Sequence, residues 1–118
     1  MSKKLKRNII WLVKDPGNTE NPELIPYMSS GFIPARLIYD AVSILKELDN
    51  PQSELSEQEQ IDYLMDLVIK IYGNQFNRED ILDRLHAPEF VPSLKEQVQF
   101  AAQGYQSDET KKYLESIS

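Results

Sequence analysis

Residues 61-IDYLMDLVIKIYGNQFNREDILDRL-85 hold a strongly apolar helix, a stop and a newly capped helix within one short block. Ile61, Leu64, Met65, Val68, Ile71 and Tyr72 recur at the spacing of one helical face. Gly73 can adopt the left-handed conformation that ends a helix, and Asn77 with Asp80 three residues later has the form of a capping pair. Two packed helices are the least that this block requires.

The neighbouring segments extend the pattern. Pro34 suits a first helical turn, and Leu37, Ala41, Ile44, Leu45 and Leu48 define a helix that Asp49-Asn50-Pro51 breaks. Ser56 with Glu59 predicts a capping box for the helix running to Tyr72, and Arg78 to Leu85 forms the next, short one. After His86-Ala87-Pro88, residues Phe90, Leu94, Val98 and Ala101 line a further helix that Gly104 can end. Ser107 or Asp108 can start a last short helix carrying Tyr113, Leu114 and Ile117. The expected fold is mostly α: a small single-domain helical bundle over residues 1–118 with one amino-terminal β-strand.

That strand is Ile9-Ile10-Trp11-Leu12-Val13, bounded by the turn-forming Asp15-Pro16-Gly17-Asn18. No matching strand is expected after the turn, because Asn18 to Glu23 is polar and contains Pro22. The strand is therefore expected to pair with a short segment such as Phe32-Ile33, to lie on the helices, or to add to another copy of the chain. The last alternative makes Ile9, Ile10, Trp11, Leu12 and Val13 a candidate homo-oligomer contact. Residues 16–34, with prolines at 16, 22, 26 and 34, read as a proline-rich connection. Residues 1–8 and 108–118 are the segments expected to be flexible.

The block Gly73-Asn74-Gln75-Phe76, between an aliphatic helix and a short acidic helix with Ile81, Leu82 and Asp83, resembles the tail assembly chaperones of long-tailed bacteriophages and related prophages. Gly31-Phe32-Ile33-Pro34-Ala35-Arg36, leading into Leu37, Ala41 and Leu45, is similar to the first helix of those proteins. The resemblance covers roughly Phe32 to Leu85. It implies a chaperone that binds and solubilises the tape measure protein while the major tail protein, a second expected partner, polymerises around it. It also implies a place in the host cytoplasm and absence from the mature virion. The alternative is an acidic helical adaptor or regulatory protein with another client.

Composition and charge fit a binding protein better than a catalyst. The chain has 118 residues, one-domain size, with 41% hydrophobic and 27% charged residues, ordinary values for a folded chain. No apolar run reaches 18 residues and no cleavable leader is evident, so a membrane span is not expected. The net charge of −6 opposes contact with nucleic acid; Lys3, Lys4, Lys6 and Arg7 are read as a solvated basic terminus. The helix pair at Ile61–Tyr72 and Arg78–Leu85 has the outline of a helix-turn-helix, but Glu79, Asp80 and Asp83 make a poor surface for base edges.

No cysteine is present, and the lone His86 lies in a linker, so no metal or cofactor is expected. Carboxylate pairs such as Asp62 with Asp66, or Asp80 with Asp83, read as solvated or capping residues, and no enzyme is expected.

The candidate partner-binding residues come from the breadth of the apolar arcs. Leu67 and Ile69 widen the arc of the Ile61–Tyr72 helix to about 200°, and Leu37, Ile38, Ala41, Val42, Ile44, Leu45 and Leu48 cover about 160° of the preceding one. Such helices either form the centre of the bundle or are closed by a partner. Phe100 falls off its helix's apolar stripe and Tyr105 lies past the helix end, where exposed aromatics can serve as anchors. The candidate set is Leu67, Ile69, Phe76, Phe100 and Tyr105.

Overall fold

Capping chemistry sets the helix limits in the computed structural model, which describes residues 5–117. Helix α1 spans Leu37–Leu48, α2 Glu57–Ile71, α3 Arg78–Arg84, α4 Phe90–Gln103 and α5 Asp108–Ile117. Ser56 Oγ accepts from the Glu59 N–H at 3.1 Å while the Glu59 carboxylate accepts from the Ser56 N–H, so α2 begins in a complete capping box. Asn77 and Asp80 form the same reciprocal arrangement at the start of α3. Gly73 at φ 63° and Gly104 at φ 72° end α2 and α4 in the left-handed region, and Asn74 follows Gly73 there at φ 61°. At Gly73 a Cβ would also meet Ser30 Oγ at 2.7 Å, so any other residue there is strained and must displace that hydroxyl.

The amino-terminal part differs from expectation. Strand β1, Ile9–Val13, pairs antiparallel with a second strand, β2, Leu24–Met28, inside the segment expected to be a connection. There are two strands rather than one, and they form a hairpin. Pro26 is tolerated because of register. The outer pairs Asn8 with Ser29 and Lys14 with Glu23 are hydrogen-bonded, at 2.9 and 2.7 Å. Bonded and non-bonded pairs alternate, so Pro26, opposite Trp11, occupies a non-bonded position and its missing N–H costs the ladder nothing.

Helix α2 is the centre of the molecule. Its Leu64, Met65, Leu67, Val68 and Ile71 are buried, and it packs against α1, α3 and α4. Of the two readings of its wide arc, the central-helix reading holds. Ala41 and Ile44 of α1, Ile81 of α3, Leu94 and Val98 of α4, and Ile10 and Leu12 of β1 complete one core.

A buried polar seam ties the hairpin to this core. Gln97, on the inner face of α4, accepts at Oε1 from Asn8 Nδ2 at 2.8 Å and from the Tyr72 hydroxyl, and donates from Nε2 to the Ile9 carbonyl at 3.0 Å. Burial, with the nearby Glu96 charge adding to it, pushes the Tyr72 phenol well above its ordinary range. Lys6, read as part of a solvated terminus, donates to the Gly104 carbonyl at 2.6 Å, and Arg7 donates to that of Ser29 at 2.8 Å. Both are therefore tied to the fold; Lys3 and Lys4 lie outside the described residues.

Candidate partner-binding surfaces

Helix α1 leaves one flank of its apolar arc uncovered. Ala41 and Ile44 are buried and Leu37, Leu45 and Leu48 half-buried, but Ile38 and Val42, one turn apart on one flank, are each 39% exposed. Tyr39 is 79% exposed and Phe32, in the lead-in to the helix, 68%. Residues 32–42 thus present four large apolar or aromatic side chains to solvent. On soluble chains such clustering marks contact surfaces, whereas singly exposed residues are ordinary.

The opposite flank of α1 forms one wall of a groove of about 390 Å³ against α2. Ile44, Leu55 and Leu67 give it an apolar floor and side, and Asp40, Asp66 and Lys70 stand on its rim. The Arg78 guanidinium, bidentate on Asp66 at 2.7 Å through both Nε and Nη2, holds that carboxyl below the usual carboxylate range.

The structure distributes the sequence-derived candidates unevenly. Leu67 is 5% exposed and reaches the surface only as part of that groove floor. Ile69 and Phe76 come together along a shallow depression at the α2–α3 turn, but Phe76 is buried, its ring 5.4 Å from those of Tyr27 and Tyr72. Phe100 is buried too, at 6%, and does not form an exposed anchor: the face of α4 that departs from the main stripe is itself covered. Tyr105 stands exposed just past Gly104, as expected. The surface residues that the sequence reading missed are Phe32 and Tyr39, together with the exposed flank of α1 as a feature distinct from its buried one.

The other expected contact, β1, has its outer edge engaged by side chains. Gln97 holds the Ile9 carbonyl, and Arg84 donates from Nε to the Val13 carbonyl at 2.7 Å while its Nη2 meets the Tyr27 hydroxyl at 2.8 Å. Arg84 is thereby turned to the hairpin and Arg78 to Asp66, leaving α3 with an acidic outer surface. Among the described residues no three of His, Cys, Asp and Glu are grouped to hold a metal ion, and no helix is long and apolar enough to cross a membrane.

Residues 4–118 match the family described as phage tail chaperone protein. The chain belongs to that family. The match reaches well beyond the Phe32–Leu85 region in which the resemblance was legible and takes in the hairpin, α4 and α5. A phage tail chaperone has a non-catalytic role. No curated protein matches the chain, and no solved structure does.

Proposed function

We propose that this phage tail chaperone binds the tape measure protein during tail assembly and keeps it soluble, through the exposed apolar side chains of residues 32–42. The observation that carries the client-binding reading is the uncovered flank of α1: Ile38 and Val42 lie outside a core that is otherwise complete around α2. A helix that shows this much apolar surface can dock an amphipathic helix of a client, the recognition mode in which side chains at helical spacing enter a complementary face. The client would gain burial of its own apolar stripe, the property that makes a long helical protein aggregate when it is unassembled. Co-expression tests this. The tape measure protein is expected to be found in the soluble fraction and to copurify only when this chain is present. Equal solubility without it would overturn the proposal and leave the adaptor reading.

A further inference from the structure

A second groove, of about 510 Å³, lies between β1, the first half of α4 and α5, and no residue of α1 or α2 lines it. Its volume is in the usual range for a ligand or side-chain site, roughly 300–1,000 Å³. Trp11 and Tyr113 form an aromatic wall, their rings edge to face with centroids 4.9 Å apart. Leu24 and Pro92 add apolar surface. The charged groups along it are all of one sign: Glu89, Glu96 and Glu109, with no lysine, arginine or histidine among the described residues that line it. Other acids have a cation in reach, as Asp66 has Arg78 and Asp80 has Arg84, whereas among the described residues no ion pair forms at any of these three. Glu96 Oε1 is out of reach of solvent and has no hydrogen-bond donor among the described residues. A buried carboxylate oxygen without a donor is costly, and a cation brought against the accessible side of the same carboxylate would offset that cost.

We infer that this groove binds a segment of a partner protein that presents an arginine or lysine beside apolar residues. The cation would lie against the Trp11 and Tyr113 rings and donate to Glu96, while Glu89 and Glu109 attract it from the rim. Aromatic faces, carboxylates and apolar contacts together favour such a side chain over a simple metal ion or a neutral peptide. Three like-signed carboxylates also exclude a nucleic acid backbone. This inference goes beyond the chaperone reading, since the surface on α1 lies elsewhere and the groove would take its segment whatever that surface binds.

Trp11 is the chain's single tryptophan, so its fluorescence reads the groove directly. The probe is an acetylated, amidated peptide of alternating leucine and arginine, compared with peptides carrying glutamine or glutamate at the arginine positions. The arginine peptide is expected to give a saturable change in emission. The glutamine peptide should bind at least about tenfold more weakly and the glutamate peptide not at all. Glu96→Gln should weaken the arginine peptide about tenfold. The double variant Glu89→Gln with Glu109→Gln, at exposed positions that leave the fold intact, should weaken it and flatten its salt dependence, and it decides the matter should Glu96→Gln fail to fold. No emission change, equal binding of the arginine and glutamine peptides, or unchanged binding by the folded variants would overturn the inference. Copurification of the tape measure protein would stand or fall separately.

Discussion

Gln97 is the residue on which the two halves of the molecule depend, and its sequence context contains the clue. It sits on the α4 stripe with Leu94, Val98 and Ala101, a polar residue at an apolar position, which signals a buried hydrogen-bonding role. What it bonds could not be read, because Asn8 and Ile9 lie nearly ninety residues away in sequence. Gln97→Leu keeps much of the volume but strands the Ile9 carbonyl and the Asn8 amide and leaves the Tyr72 hydroxyl without its acceptor. A loss of about 2–4 kcal/mol in chemical denaturation is expected, from unsatisfied groups at roughly 1–3 kcal/mol each. Tyr72 adds a pH dependence. Its phenol is held protonated in the fold, whereas in the unfolded chain it ionises near pH 10, at the value of about 10 for free tyrosine. The raised folded pKa means that this contribution to stability is fully present below pH 10 and is lost as pH rises above it. Denaturation of the parent chain and of Tyr72→Phe at pH 8, 9, 10 and 11 should show a steeper decline in the parent above pH 10. Equal slopes would mean that the hydroxyl is not buried in solution.

At the scale of elements, local chemistry was legible and long-range pairing was not. Both capping boxes, the glycine stops and the five helices follow from residues within a few positions of one another. The hairpin was missed because Pro26 argues against a strand unless its register is known, and the register is set by the long loop between Lys14 and Glu23. Phe100 was misplaced for a related reason: the apolar stripe of a helix predicts which face is buried first, and says nothing about a second covering on another side. The central place of α2 has a direct test in Val68→Asp. Val68 is fully buried among apolar neighbours, so the new carboxylate would be desolvated without a partner and should remove several kcal/mol, enough to leave the chain unfolded or molten. A cooperative melt at the parent temperature would place Val68 on the surface and dismantle the core described above.

Across the whole molecule, one core built around α2 leaves the flank of α1 uncovered, and that asymmetry lets the proposed client binding be tested apart from folding. Leu67 and Phe100 cannot report on a client, since substitution there would disturb packing before it altered a surface. Ile38 and Val42 can. Ile38→Lys with Val42→Lys places charge where the side chains already meet water in part, and should cost roughly 1 kcal/mol of folding stability per site, short of unfolding the chain. The same pair should strip the tape measure protein from the soluble fraction and abolish its copurification, because charges on that flank would have to be desolvated against the client's apolar stripe. Salt supplies the second discriminator. Contact dominated by apolar burial keeps its strength when ionic strength is raised, whereas contact through opposite charges weakens as the screening length shortens. Copurification by the parent chain is therefore expected to survive raised salt, while the arginine peptide in the Trp11 groove is lost under the same conditions. If the lysine pair folds normally and still retains the client, the flank of α1 is not the docking surface, and the groove floored by Ile44 and Leu67 is the next place to substitute.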